Sequence, residues 1–261
     1  MLNKHIKTEY EMTKYNNSLV KKNKEIIFAI DNDECIGSWA DLSMIYLMLK
    51  QESLELELNI NLFVDIIIKT NCVRPYVKLL FDKLIEMKKQ GLIHQIIMFT
   101  AAPNNKGWVS FLSKVIEKWY GQPIYDNIIY QEMIEEWHFE NKTISINETG
   151  YIKNMHLIHK KYHPEKQIEN LCFIAIDDRP ENIINGIKIG VNPYKVALNL
   201  IEIIRMYFPT LFEYLFNKYS ISLLEPWNEY IKFPKLFSDY NNDKDFLFIV
   251  DNIDKIISEQ L

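Results

Sequence analysis

The amino-acid sequence predicts an α/β protein, with a three-layer, Rossmann-like parallel sheet covered by helices. Three short apolar runs are rich in β-branched residues and end on acidic or small polar residues: EIIFAID (25–31), QIIMFT (95–100) and LCFIAIDD (171–178). Continuous runs of this length indicate strands that are buried on both faces. Segments with helical spacing separate the runs, and this alternation predicts right-handed βαβ crossovers.

Two helices and a fourth strand complete the predicted core. The segment 75–91 repeats apolar residues every three or four positions and ends at Gly91, and 106–121 does the same and ends at Gly121. The run IKIGVNPY (187–194) predicts a further strand, after a short helix over 180–184.

The two ends of the chain differ in character from this core. Residues 1–23 are polar and predict a solvated arm, whereas 201–219 and 246–261 are dense in aromatic and aliphatic residues and predict helices. A loop with Pro226, Pro234 and the Asn241–Asn242 pair separates these helices. We therefore expect an arm (1–23), an α/β core (24–200) and a helical C-terminal extension packed on the core (201–261).

Composition excludes several classes of protein. The chain has 261 residues, is 48% hydrophobic and carries a formal charge of -5, so it should fold, and no global field would attract nucleic acid or an anionic membrane. Its three cysteines are widely spaced and form neither a metal-binding pair nor a disulfide framework. No signal peptide or membrane span is evident, because acidic, basic and amide residues interrupt the apolar stretches. We expect a soluble intracellular protein, with its oligomeric state open.

Acidic residues follow two of the predicted strands. Asp31 and Asp33 follow the first strand, Thr100 ends the second, and Asp177 and Asp178 end the third. In open α/β sheets the carboxyl ends of the strands form the functional edge, so these side chains should converge. Four adjacent carboxylates repel one another, and a divalent cation relieves that repulsion. Hard oxygen ligands favour Mg²⁺ over zinc.

The order of these motifs resembles the haloacid dehalogenase superfamily of phosphohydrolases. The strand ending in DNDEC, the strand ending in Thr100, an isolated Lys153 and the strand ending in Asp177-Asp178 occur in the family's order. Over about residues 25–195, RPY (74–76), MFTAAP, GYIKNM (150–155) and AIDDRPENI are similar to the branch of protein phosphatases that act on the C-terminal domain of RNA polymerase II, the NLI-interacting-factor-like branch. That branch reads approximately DLDETL, RPG, FTAS, YVKDL and DNSP at these places.

The resemblance implies a role for each matching residue. Asp31 would attack phosphorus and form an aspartyl-phosphate, and Asp33 would be the general acid and base. Asp31, the backbone carbonyl of Asp33, Asp177 and Asp178 would hold Mg²⁺, with Asp178 binding directly or through water. The phosphate would be bound by the Thr100 hydroxyl, by Lys153 and by the backbone amides of Ala101 and Ala102.

The resemblance predicts a Mg²⁺-dependent phosphomonoesterase, and the 66 residues between Asp33 and Thr100 predict a small cap insertion. A small cap leaves the site open, which favours a phosphorylated protein, on serine or threonine, as substrate. Two alternatives remain: a phosphatase acting on nucleotides, sugars or nucleic-acid ends, and a catalytically silent binding module.

Simpler interpretations exist for individual residues. Thr100 could merely end a strand, and Asp178 could cap the helix near Pro180. Lys153 could be a surface residue, in which case Lys160 or Lys161 would be the phosphate-binding lysine. Cys35 and Asn32 depart from the family's motif; Cys35 should pack in the core, and Asn32 needs a hydrogen bond to offset its burial.

Two clusters need no functional role. His156, His159 and His163 recur at helical spacing and are expected to be solvent-exposed rather than zinc ligands. The aromatic residues around 206–216 are expected to belong to the core or to a helix-docking face.

Overall fold

A computed structural model of the protein describes residues 24–219 and 242–260. The predicted N-terminal arm (1–23) and the loop predicted around Pro226 and Pro234 lie outside the described residues. In the part of the chain that the structure describes, no helix combines the length and the apolar character needed to cross a membrane.

The centre of the protein is a five-stranded sheet in which all neighbouring strands are parallel, with the order β3-β2-β1-β7-β9. Its members are β1 (Glu25–Ile30), β2 (Gln95–Phe99), β3 (Asn127–Ile129), β7 (Leu171–Asp177) and β9 (Ile187–Gly190). The three apolar runs of the sequence are β1, β2 and β7, which confirms the predicted parallel sheet. The short strands β4 (Ile146–Asn147) and β5 (Gly150–Tyr151) form an antiparallel hairpin, and β6 (Lys153–Asn154) pairs in parallel with β8 (Ile183–Ile184).

Helices cover both faces of the sheet. One face carries α1 (Ala40–Gln51), α2 (Ile60–Thr70), α3 (Val77–Lys89), α4 (Trp108–Tyr120), α7 (Leu200–Tyr207), α8 (Pro209–Tyr219) and a C-terminal helix (Asp245–Ser258). The other face carries α5 (Gln131–Glu140) and α6 (His156–Tyr162). Because side chains alternate along a strand, Phe28 of β1 packs in the first layer, whereas Ile27 and Ala29 pack in the second. The three-layer arrangement is therefore confirmed.

The segment predicted as a small cap is built differently from that prediction. Residues 40–70 form α1 and α2, and buried side chains such as Ile45 and Phe63 belong to the same apolar core as β1. Their apolar positions recur at helical spacing, which draws both helices into the layer beside α4. The segment is thus part of the main helix layer, although the start of α1 also borders the site described below.

The fourth predicted strand is shorter than expected. It ends at Gly190 rather than at Tyr194, because Pro193 lacks a backbone donor and restricts Asn192 before it. The chain then crosses to the first loop, where the Tyr194 amide donates to the Glu34 carbonyl at 2.7 Å.

Arg74 joins the C-terminal helix to the core. Its fully buried guanidinium donates from Nε to Asp243 Oδ2 at 2.9 Å and lies 5.4 Å from the centroids of the Tyr194 and Phe246 rings. Its backbone amide donates to the Ile36 carbonyl at 2.9 Å. One residue thereby links the loop after β1 to the last helix.

Candidate active site

The site lies at the point where the sheet reverses direction. From β1 the chain moves outward through β2 to β3 and then returns to β7 on the other side of β1. Such a reversal opens a crevice at the carboxyl ends of the two central strands. Asp31 follows β1 directly, its amide donating to the Ile176 carbonyl at 2.9 Å, and Asp177 ends β7. The two carboxylates are therefore held side by side by the sheet itself.

Lys153 bridges these two aspartates. Its Nζ donates to Asp31 Oδ1 at 2.5 Å and to Asp177 Oδ2 at 2.7 Å, and the residue is only 5% exposed. The pairing of β6 with Ile183 of β8 fixes the lysine backbone beside the 177–183 loop. The surface interpretation of Lys153 is wrong.

The two substitute lysines lie elsewhere. Lys160 and Lys161 are on the exposed side of α6, where Lys160 pairs with Glu140.

Burial and mutual repulsion control the protonation of this cluster. Burial raises the pKa of Asp31 well above its usual range; Lys153 opposes this rise, whereas Asp177 and Asp178 add to it. Burial, and then the charge of Asp177, raise the pKa of Asp178 to about 6. Burial alone would lower the pKa of Lys153, but the charges of Asp177 and Asp31 raise it above its usual value, so the lysine is a permanent cation.

The carboxylates suit a divalent cation. Asp31, Asp177 and Asp178 each offer an oxygen, and these oxygens lie within 4.8 Å of one another. When all are ionised, three carboxylates and one ammonium leave two negative charges in a buried site. Among the described residues, the buried Oδ2 of Asp178 has no hydrogen-bond partner, and the guanidinium of Arg179 lies 3.7 Å from it. This set of carboxylate oxygens could hold a divalent metal ion.

Asp33 lies in the same cleft but outside this group of three. Its Oδ1 accepts a hydrogen bond from the Trp39 amide at 3.4 Å, and burial, followed by the neighbouring Glu34, raises the pKa of its carboxyl group. A raised pKa keeps a proton on the carboxyl group closer to neutral pH, as a general acid requires.

A tight loop presents Asp33. The Asn32 carbonyl accepts hydrogen bonds from the amides of Ile36 and Gly37 and from Trp39 Nε1. At Gly37 a Cβ atom would lie 2.4 Å from the Trp39 ring and 2.6 Å from the Cys72 carbonyl, so only glycine fits. The side-chain Oδ1 of Asn32 is buried and has no hydrogen-bond partner among the described residues, so these residues do not supply the hydrogen bond expected to offset its burial.

Thr100 is fully buried at the end of β2, and its Oγ1 accepts a hydrogen bond from the Ala102 amide at 3.1 Å. The hydroxyl keeps its own proton for donation, whereas the Ala102 amide is already engaged. The phosphate-binding role expected of the Ala102 amide is therefore not favoured. Ala101 lies between them and lines the cleft.

The cleft has a volume of about 440 Å³ and two different walls. Its floor is polar and consists of the carboxylates, Lys153 and Thr100. One wall is apolar, with Trp39 and Leu47 from the first helix region and Trp108 and Leu112 from α4. Gly150 and Tyr151 of the hairpin form the opposite rim.

Sequence reasoning assigned no role to Arg179. This residue reaches the rim of the cleft and donates from Nη1 to the Thr149 carbonyl at 2.9 Å. Its position directly after the Asp177-Asp178 pair is the signal that could have identified it. The acidic hairpin that it contacts offered no comparable motif.

The prediction that His156, His159 and His163 are solvent-exposed is wrong, and His156 is half-buried. His163 is 5% exposed and its Nε2 is 2.8 Å from Gln95 Oε1, while His159 is half-buried with its Nε2 2.8 Å from the Lys166 carbonyl. The short helix α6 turns these rings toward the sheet and the following loop. Among the described residues, the histidines do not form a group able to hold a metal ion.

Cys35 is buried as predicted, and the aromatic cluster is buried only in part. Cys35 is fully buried, and burial raises the pKa of its thiol well above the usual value, so it is inert. Phe208 is fully buried in the core, but Met206 and Phe216 are exposed.

Comparison of the chain with protein-family models and with curated proteins gave no match. The protein is an α/β protein with a five-stranded parallel sheet flanked by helices, an architecture compatible with a Rossmann-like fold, and an acidic cluster lies at the point where the strand order reverses.

Proposed function

We propose that this protein is a Mg²⁺-dependent phosphomonoesterase of the haloacid dehalogenase kind, with Asp31 as its nucleophile. The observation that carries the proposal is the buried contact of Lys153 with both Asp31 and Asp177. Removing a lysine ammonium from water has a large desolvation free energy. A buried lysine is therefore expected at a site where it offsets negative charge on a bound substrate as well as on the protein.

Each residue on the floor of the cleft has a chemical task. The Asp31 carboxylate attacks phosphorus, a P–O bond to the aspartate forms, and the bond to the leaving alcohol breaks. Lys153 neutralises charge on the transferring phosphoryl group, and Thr100 donates its hydroxyl proton to a phosphate oxygen.

Asp33 moves the protons. It donates one to the leaving oxygen and, as a carboxylate, accepts one from the water that cleaves the aspartyl-phosphate, so inorganic phosphate leaves and Asp31 is restored. Its contact with the Trp39 amide holds the carboxyl group beside the nucleophile loop.

Asp31, Asp177 and Asp178 would hold Mg²⁺, which when bound supplies charge stabilisation to the phosphate and lowers its repulsion from Asp31. The unpaired Oδ2 of Asp178 and the excess negative charge support this assignment.

The substrate that we propose is a protein phosphorylated on serine or threonine. Residues 40–70 pack into the main helix layer instead of forming a separate lid, so among the described residues this segment does not close the cleft. An open cleft admits a peptide loop, whereas small metabolites usually need a closing cap.

Hydrolysis of p-nitrophenyl phosphate tests the proposal. Activity should require Mg²⁺, and Asp31→Asn should abolish it, because the amide is neither a nucleophile nor an anionic ligand. Asp65→Asn, on α2 outside the residues that line the cleft, is a matched control that should keep full activity. More than a few percent of activity in Asp31→Asn would exclude Asp31 as the nucleophile.

A further inference from the structure

Arg179 is placed at the mouth of the cleft by three local features. Its backbone amide donates to Asp177 Oδ1 at 2.8 Å, which fixes the start of the side chain beside the floor. Its Nη1 donates to the Thr149 carbonyl, which aims the guanidinium at the hairpin. A Cβ atom at Gly150 would come within 3.3 Å of Nη1, so the glycine leaves the room that the guanidinium occupies.

The hairpin against which Arg179 rests is itself fastened. Asn147 Oδ1 accepts hydrogen bonds from the amides of Thr149 and Gly150 at 2.9 and 3.0 Å, and Asn147 Nδ2 donates to Asn182 Oδ1 at 3.1 Å. The hairpin that accepts the hydrogen bond of Arg179 is therefore fixed by its own hydrogen bonds.

Most of the donors of Arg179 have no hydrogen-bond acceptor among the described residues. A guanidinium has five N–H donors, and the Thr149 carbonyl takes one of them. The two carboxylates near it, Asp178 at 3.7 Å and Glu34 at 3.9 Å, are beyond hydrogen-bonding distance. Glu34 is paired more closely with Lys195, at 2.9 Å. The side chain is 51% exposed and lines the cleft.

This arrangement differs from that of Lys153. Lys153 is buried on the floor, where the reacting phosphate would sit, whereas Arg179 is at the rim and faces solvent. A second cation at the rim is suited to a second anionic group of the substrate, and the planar guanidinium fork matches a carboxylate in bidentate geometry.

We infer that Arg179 binds a carboxylate next to the phosphorylated residue, so that the protein prefers phosphoserine peptides with a flanking acidic side chain. This inference rests on the proposed function and names the substrate class of that site. Arg179 is then a specificity residue, and it takes no part in breaking the phosphate ester.

Matched peptides and variants test the inference. Phosphoserine peptides that carry Glu immediately before or after the phosphoserine are compared with peptides that carry Gln there, at constant ionic strength. The measured quantity is the ratio of kcat/KM for the Glu peptide to that for the Gln peptide, in the unmodified protein, in Arg179→Gln and in Arg179→Lys. Arg205→Gln, an exposed arginine of α7 that does not line the cleft, is the control.

The unmodified protein and Arg205→Gln should prefer the Glu peptide at one of the two positions by about threefold to tenfold, the range expected for a partly exposed charge-assisted pair. Arg179→Gln should lose the preference, and Arg179→Lys should keep part of it because the charge remains but the fork does not. Equal losses on both peptides in Arg179→Gln would mean that Arg179 only braces the hairpin, and would overturn the inference. Absence of any preference in the unmodified protein would overturn it as well.

Binding of the same peptides, followed by fluorescence anisotropy, separates the two proposals. If the protein hydrolyses none of them yet binds the Glu peptide more tightly in an Arg179-dependent way, the inference stands and the proposed phosphoprotein substrate fails. If hydrolysis is found without that dependence, the proposed substrate stands and the inference fails. If neither is found, both fail, whereas the phosphomonoesterase activity itself is decided by p-nitrophenyl phosphate.

Discussion

Replacing Lys153 with methionine tests the electrostatic core of the site. Methionine keeps most of the side-chain volume and removes the charge, so the variant leaves Asp31 and Asp177 side by side without their shared cation. The protein should then lose stability even in the absence of any ligand.

The size of the loss follows from the contacts. At 2.5 and 2.7 Å, and with an effective dielectric constant of about 20, Coulomb's law gives about 6 kcal/mol for each pair before desolvation. Burying the ammonium group offsets much of this attraction. The net effect is the cost of leaving the buried carboxylates unpaired. Removing one partner of a buried ion pair lowers the free energy of unfolding by about 3–5 kcal/mol.

Urea unfolding at pH 8 in the presence of a chelator measures this loss. With a slope of about 3 kcal/mol per molar urea, the midpoint should fall by roughly 1–1.7 M. At pH 5 the loss should be smaller, because burial already raises the pKa of Asp31 and a proton can then replace the missing cation.

Lys160→Met provides the control, since this lysine is also paired with a carboxylate but its side chain is 53% exposed. Its loss should be within about 1 kcal/mol. Equal midpoints for the two variants would refute the reasoning, because Lys153 would then contribute no more than a surface charge.

Three further predictions address individual residues. In rapid-quench experiments with an aryl phosphate, Asp33→Asn should release about one equivalent of alcohol in a burst and then turn over slowly, because a good leaving group needs no proton whereas hydrolysis of the aspartyl-phosphate does. Asp31→Asn should give no burst, and equal loss of the burst in both variants would assign proton transfer to another group. In calorimetric titrations Asp177→Ala should weaken Mg²⁺ binding more than Asp178→Ala, because in the metal site that the resemblance implies the first acid of the pair is the direct ligand; the reverse order would exchange their roles. Burial lowers the pKa of His163 below its usual 6.5, so the unfolded chain binds this proton more readily, and stability should fall relative to His163→Gln as the pH drops below 6.5. A difference between the two proteins that stays constant from pH 8 to pH 5 in chemical denaturation would contradict this assignment.

The sheet could be predicted from the sequence because its central strands are buried on both faces. The runs 26–30 and 171–176 are apolar at every position, and a parallel sheet with helices on both sides buries both sets of side chains. The helices α1 and α2 were not predicted as core helices, although Leu42, Ile45 and Leu49 recur at helical spacing. The length of the segment between Asp33 and Thr100 favours a cap insertion, whereas the spacing of its apolar residues favours core helices, and the structure follows the spacing.

The acidic floor was also within reach of the sequence, because aspartates that directly follow neighbouring strands must converge. Lys153 was not, since an isolated lysine carries no local signal of burial, and only the resemblance singled it out. Arg179 and His163 depend on contacts with the hairpin and with Gln95, which are distant in sequence. Their contacts are set by tertiary packing, and only the position of Arg179 directly after the Asp177-Asp178 pair indicates from the sequence that it lies near the site.

The pairing of β1 between β2 and β7 has a consequence for synthesis on the ribosome. β1 can pair with β2 once residue 99 has emerged, but its other edge stays open until β7, more than 70 residues later, is available. During that interval the backbone groups of Ile27, Ala29 and Asp31, which face β7 as the Asp31 amide shows, form an unpaired edge that is prone to association with other chains. Chains truncated before residue 171 should therefore aggregate, and a chaperone that covers strand edges should be required most over that stretch of elongation.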